Sequence, residues 1–359
     1  MQKGARYRMP AEWEPHEATW IAWPHFRDDW PGKFHPIPWV YAEIVRHLAR
    51  HERVEILVNG NLIEQQARKI LQDAGALSDS VRFHRCPTNR VWTRDSGPIF
   101  VRPEHDDETP ADERPSNLVI TNWRFNAWAK YDNWQKDNEV PAKISRILKL
   151  REVRPATPGG EWVVLEGGSI DVNGRGTLLT TEECLLGPVQ QRNPSTTREE
   201  LESVVSKYLG IAKVIWLGKG IAGDDTHGHV DDIARFVSPD TMVAASETDR
   251  ADENYTALRD NLERLCDATD QGGKPLRIVA LPMPAPVYFE GRRLPASYAN
   301  FYIANGLVLV PTFNDKNDRL ALNILAELFP DRDIVGIYCG DLIWGFGAIH
   351  CMTQQQPAT

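Results

Sequence analysis

The sequence predicts an α/β protein built as a closed radial array, on three observations. Short β-branched or aromatic runs alternate with longer segments of helical periodicity, the order strand, strand, helix, strand recurs, and the polar clusters fall where one copy hands over to the next. That order repeats over residues 98–165, 169–217, 229–281 and 299–338, and the segment before Pro98 resembles a longer first copy. Five copies of about 60 residues suggest a ring of small sheets. An open α/β sheet is the alternative that composition alone leaves standing.

In the first copy, residues 19–23 and 54–58 read as strands around a helix over 38–51, and a helix over 62–74 leads to a strand at 81–84. The second has strands at 98–101 and 118–123, a helix over 140–150 and a closing strand at 163–165. The third has strands at 169–172 and 176–180, a helix over 197–209 and a strand at 213–217. Thr196 or Thr197 followed by Glu199 and Glu200 resembles a capping box opening that helix. The fourth reads 229–237, 241–245, helix 252–268 and 276–281, and the fifth 299–303, 307–310, helix 319–328 and 333–338. The acidic, proline-bounded stretch 103–115 reads as an exposed loop, and no linker divides the chain, so residues 1–359 are expected to form one domain.

Composition narrows the function. With 42% hydrophobic residues, 41 Lys+Arg against 50 Asp+Glu and a net charge of −9, the chain reads as globular. No basic run exceeds two residues, so neither nucleic acid nor an anionic membrane is expected as a partner. No apolar run reaches the length of a membrane span, and the N-terminus lacks the apolar core of a signal peptide. The five cysteines contain no C-x-x-C pair, which disfavours a disulfide framework or zinc ribbon and points to a reducing cytoplasm.

Four junction clusters carry the chemistry: 92–98, 166–168, 224–231 and 345–351. Equivalent junctions of a radial array meet at its axis, so these clusters are expected to face one cavity. Cys351 is the candidate nucleophile, since a thiol is readily activated and the glycines Gly345 and Gly347 let backbone N–H groups approach a substrate. Cys86, Cys184, Cys266 and Cys339 read as small buried hydrophobes. His229 is the candidate general acid/base. In an extended segment His227, His229 and Asp231 share a face, which leaves open a divalent-metal site, a proton shuttle beside a cation-binding Asp231, or a solvated strand edge. Glu166 and Asp95 sit beside glycines at strand ends; with Asp231 they bring three carboxylates to one thiol and one imidazole. Carboxylates are natural clamps for a planar guanidinium, so thiol attack on a guanidinium carbon is the chemistry assembled.

Beyond these residues, 9–16 (MPAEWEPH), 92–98, 125–128 with Lys130 and Tyr131, 166–168, 225–231 and 350–357 (HCMTQQQP) follow in order. In these blocks the chain resembles the agmatine deiminases, within the guanidino-modifying superfamily that includes bacterial peptidyl-arginine deiminases. The resemblance implies a five-bladed α/β propeller, the pentein fold. It also implies Cys351 as nucleophile, His229 as acid/base, Glu166 orienting His229, Asp95 and Asp231 clamping the guanidinium, and neither cofactor nor metal. Trp92, Gly345 and Gly347 are expected to border the substrate, although a plain core role for Trp92 stays open. The chain departs from many agmatine deiminases at His227, where an aspartate is usual, and at Phe346, which interrupts the glycine run. The expected reaction converts agmatine to N-carbamoylputrescine and ammonia, a step of polyamine (putrescine) biosynthesis. Free or peptidyl arginine, a metal hydrolase using His227, His229 and Asp231, an amidinotransferase and a non-catalytic propeller are the alternatives. The expected partner is a small guanidino cation, with a homodimer as the expected assembly.

Overall fold

The structure, a computed structural model, describes residues 6–104 and 117–359. Of six small sheets among the described residues, five share one topology, the sixth being the hairpin of Tyr288–Phe289 with Arg292–Arg293, and none closes on itself. In four of them a first strand pairs antiparallel with a second, and the second pairs parallel with a third. These triplets are Ile99–Glu104, Val119–Thr121 and Arg151–Val153; Asp171–Val172, Thr177–Thr181 and Lys213–Leu217; Ala234–Ser238, Thr241–Ser246 and Arg277–Pro282; and Tyr302–Ala304, Leu307–Thr312 and Asp333–Tyr338. A parallel pair requires a crossover, and a helix fills each one: Val140–Leu148, Arg198–Leu209, Tyr255–Cys266 and Asp318–Leu328.

The first sheet joins the two ends of the chain. Parallel strands His16–Ala22, Arg53–Val58 and Val81–Arg85 are linked by helices Ile37–Leu48 and Asn61–Asp73, while the antiparallel partner of His16–Ala22 is the C-terminal strand Gln354–Pro357. That strand escapes sequence reading because Gln-Gln-Gln-Pro has neither β-branched residues nor alternation. Its glutamines are buried and each makes a side-chain hydrogen bond: Gln354 donates to the Pro98 carbonyl at 2.8 Å while its Oε1 stays unpartnered, Gln355 accepts from Arg94 at 2.7 Å and Gln356 from Trp20 at 2.9 Å.

Two further expectations change. The third strand of the second sheet is Arg151–Val153, not 163–165; Lys149 turns left-handed (φ 55°) at the helix end and returns the chain to the sheet at once. Residues 163–165 are buried but make only a lone bridge, Val164 to Arg124, because an apolar run marks burial rather than pairing. The strand expected from His229 begins instead at Ala234, and Val230–Asp232 forms a 3-10 turn. An additional strand, Arg6–Arg8, pairs with Ile99–Glu104. The capping box at Thr197 and Glu200 forms as expected, with bonds of 3.2 and 2.9 Å. The same helix ends at Gly210 (φ 75°), where a Cβ would lie 1.8 Å from the Tyr7 carbonyl oxygen. The loop expected over 103–115 lies outside the described residues from 105 onward, as does the N-terminal tip. Among the described residues no helix is long and apolar enough to cross a membrane.

This topology places one polar turn immediately before the first strand of each sheet: 93–96, 166–169, 229–232, 297–300 and 350–353. Four successive pairs of these turns are joined by hydrogen bonds. Gly168 N–H donates to Asp95, Ser297 to the Asp232 carbonyl, His350 N–H to the Asn300 carbonyl and Arg94 N–H to the Cys351 carbonyl, at 3.1, 2.8, 3.1 and 3.2 Å.

Candidate active site

Two of the five turns reach a cavity of about 320 Å³, through Asp95 and Cys351, and its lining also includes Trp92 and Trp128. His229, Glu166 and Asp231 lie behind that lining, at most 1% exposed. His229 sits between two carboxylates, with Nδ1 3.7 Å from Asp95 Oδ1 and Nε2 3.8 Å from Glu166 Oε2. These separations exceed hydrogen-bond length, so both imidazole nitrogens and Glu166 Oε2 are left without partners. Glu166 Oε1 takes Arg192 Nε at 3.2 Å, both side chains fully buried.

Cys351 Sγ lies 3.7 Å from Asp231 Oδ2. That oxygen also receives His350 Nδ1 at 2.7 Å, and His350 Nε2 contacts Glu12 Oε2 at 2.8 Å. Glu12 is held further by Arg94 (3.1 Å), Arg235 (2.9 Å) and the Ile303 N–H (2.9 Å). Asp231 Oδ1 stays unpartnered. Asp95 is oriented by Trp128 Nε1 on Oδ2 (2.9 Å) and Gly168 N–H on Oδ1 (3.1 Å). A Cβ at Gly168 would come within 2.6 Å of His229 Nδ1, 2.7 Å of Asp95 Oδ1 and 3.1 Å of Asp231 Oδ2, so only glycine keeps that meeting point open.

The electrostatics follow from burial and pairing. Burial, then the neighbouring Asp231 and Glu166, raises Asp95 to about 6 against the pull of His229. Burial alone would raise Glu166 too, but Arg192 and His229 reverse it and bring the carboxyl to about 2. Burial opposes protonation of His229, yet Asp95, Cys184 and Glu166 prevail and hold it well above its ordinary range. The Cys351 thiol is pushed up by burial and then by Asp231, Asp232 and Asp95.

All five turn residues expected at the centre, Asp95, Glu166, His229, Asp231 and Cys351, are thus brought together. His227 is not. It adopts φ 64° in the turn, is half-buried, and lines a separate groove with Glu183 and Arg264. The shared face expected for His227, His229 and Asp231 required an extended segment, and the metal reading built on it loses its ligand set. The metal-capable grouping among the described residues is instead Glu166, Cys184 and His229, whose ligand atoms lie within 4.8 Å of one another. There Glu166 is already engaged by the Arg192 cation.

Trp92 borders the cavity and also packs on Trp30, with ring centroids 5.7 Å apart. Gly345 and Gly347 line the cavity, but their lack of a side chain serves packing as well. A Cβ would fall 2.7 Å from Trp30 at Gly345 and 2.6 Å from Trp92 at Gly347. Phe346 between them takes φ 65° and borders the cavity, its ring 4.2 Å from the Arg292 guanidinium, which also binds Asp225 at 2.8 Å. Sequence reasoning missed Asn300, Arg192 and the partners Glu12 and His350. Asn300 had a signal, since it lies in the polar turn of the fifth copy, as Asp95, Glu166 and His229 lie in those of the others.

Glu166→Gln is expected to remove an anion from beside His229 and lower its affinity for a proton. The alkaline limb of the pH–rate profile should then move to lower pH, because the protonated ring is lost earlier as pH rises. A changed Michaelis constant with an unmoved profile would instead place Glu166 on the substrate.

Comparison with known proteins follows the same outline. The family described as Porphyromonas-type peptidyl-arginine deiminase matches residues 8–357. An agmatine deiminase of Pseudomonas aeruginosa strain LESB58 is 36% identical, covering 98% of this chain and 96% of its own length. Among solved structures, an agmatine deiminase of Enterococcus faecalis superposes with TM-score 0.87 at 32% identity, covering 99% of this chain and 98% of its own. A C. jejuni agmatine deiminase with substrate bound gives 0.85 at 29% identity, covering 100% and 98%. A match across nearly the whole chain, together with the shared mixed α/β fold, shows that this protein belongs to the Porphyromonas-type peptidyl-arginine deiminase family.

Proposed function

We propose that the chain hydrolyses agmatine to N-carbamoylputrescine and ammonia through a covalent intermediate on Cys351. The observation that carries this reading is the grouping of the Cys351 thiol and the Asp95 carboxylate, which line one cavity, with the His229 imidazole and the Asp231 carboxylate directly behind them. Asp95 and Asp231 hold the guanidinium nitrogens, Asp231 through its unpartnered Oδ1. The Cys351 sulfur attacks the guanidinium carbon. As the C–N bond breaks, His229 delivers a proton to the departing ammonia, leaving an amidino-thioether. The now neutral His229 takes a proton from water, which attacks the same carbon. The C–S bond then breaks, releasing a ureido product and restoring the thiol. The surrounding carboxylates oppose thiolate formation, and the bound guanidinium offsets them, so ionisation accompanies substrate binding.

The same reading takes residues 1–359 as one domain whose five sheets stand as blades of a propeller. It is supported by the shared topology, the pairing of Gln354–Pro357 with His16–Ala22 and the hydrogen bonds that join four successive pairs of turns.

Agmatine as substrate is supported by the names of the relatives and by the charges around the cavity. Asp28, Asp29 and Asp225 line it, while the nearby cations Arg90, Lys130 and Arg292 are engaged by Asp29 and Asp225, which leaves Asp28 as the carboxylate without one of these partners. A second cationic end is therefore better received than an α-carboxylate. Specificity constants for agmatine, free arginine and a blocked arginine peptide, measured together, are expected to rank agmatine first. A higher value for either arginine form would overturn the tail assignment while leaving the head chemistry intact.

A further inference from the structure

Cys351 is the reacting atom's carrier, yet the titratable groups around it disfavour its ionisation. Asp231 and Asp232 face it from the Val230–Asp232 turn and Asp95 from the Thr93–Ser96 turn. Tyr41, on the helix Ile37–Leu48, is a further buried neighbour held neutral by burial. Against three carboxylates the sulfur has a side-chain donor in Asn300, whose Nδ2 lies 3.1 Å from Sγ.

We propose that Asn300 is a catalytic residue: its side-chain Nδ2 donates to the Cys351 sulfur and stabilises the thiolate that attacks the guanidinium carbon.

The orientation of this amide is set by its surroundings. Asn300 Oδ1 accepts from two backbone N–H groups, His350 at 3.0 Å and Cys351 at 3.4 Å. N–H groups can only donate, so the oxygen must face them and Nδ2 must face the sulfur. The second Nδ2 contact, 3.0 Å to Asp232 Oδ1, pins the group from the other side. The side chain is fully buried and held at four points, so its dipole is aimed before the reaction and costs no reorganisation. Through this amide the 297–300 turn reaches the Cys351 sulfur.

The inference rests on Cys351 being the nucleophile, and the experiment separates the two. Asn300→Asp keeps the oxygen that binds the backbone and replaces only the donor. Activity with agmatine, the pH dependence of Cys351 alkylation by iodoacetamide and the circular dichroism melt are measured for Asn300→Asp, Asn300→Ala and the parent. The expected result is a fall in kcat of about ten- to a hundredfold for Asn300→Ala and more for Asn300→Asp, with alkylation displaced to higher pH in both. Asn300→Ala gives the same readout should the aspartate variant fail to fold. A folded variant that alkylates with the parent's pH dependence overturns the proposal, whether or not activity falls, since loss of activity alone would mark a structural role. An active Cys351→Ala enzyme would instead overturn the nucleophile assignment.

Discussion

Cys351→Ala is expected to yield a folded protein whose ammonia release from agmatine falls by roughly four orders of magnitude or more. The substitution removes only the sulfur, while the backbone N–H groups of His350 and Cys351 keep their bonds to Asn300 and the adjoining strand keeps its pairing with His16–Ala22. The carboxylates and His229 also remain, so substrate binding should persist as turnover disappears. Cys86→Ala and Cys339→Ala should retain activity, since both thiols are buried in the apolar core and neither lines the cavity. Ammonia assays beside circular dichroism check this. A haloacetamidine, which carries an electrophile on a guanidinium-like head, should label Cys351 in the parent by mass spectrometry. Appreciable turnover by Cys351→Ala would end the thiol mechanism.

The second large effect is expected at Asp95. Removing one member of a desolvated charge pair commonly costs about 3–5 kcal/mol, or roughly two to four orders of magnitude in turnover. Asp95→Asn should lie at the severe end, because both carboxylate oxygens already accept N–H groups, from Gly168 and Trp128. An amide presents one oxygen and one NH2, so one donor must face another. Asp231→Asn should be milder in fold, since its amide oxygen can still receive His350 while its NH2 takes the unpartnered Oδ1 position. Steady-state kinetics with melting curves distinguish these outcomes. Parent-like kcat/KM for Asp95→Asn would remove Asp95 from the guanidinium clamp.

How far the site was legible depends on what kind of signal each residue leaves. Asp95, Glu166, His229, Asp231 and Cys351 stand out because a repeat of fixed order puts one polar turn per copy in the same place, and period alone reports that. The helices were readable within a few residues because each crossover buries one apolar stripe. For example, Ile37–Leu48 buries Ile37, Tyr41, Ile44, Val45 and Leu48. The Gln354–Pro357 strand was not readable, because its pairing depends on a partner at the other end of the chain and its buried glutamines depend on Pro98, Arg94 and Trp20.

The sequence by itself determined the α/β class, the repeat and the grouping of five polar residues at its junctions, since these are carried by composition, periodicity and spacing. Tertiary structure decided which atoms those groups present to one another. Glu12 reaches His350 across 338 positions and Arg192 reaches Glu166 across 26, and such buried polar pairs leave no periodic trace. It also decided against His227, where one left-handed residue in a turn sends the side chain into another groove despite a spacing of two from His229. Spacing fixes a shared face only along an extended backbone, and the conformation of this turn is set by contacts from elsewhere in the chain, among them Arg192 on the Thr226 carbonyl and Thr181 on that of Gly228.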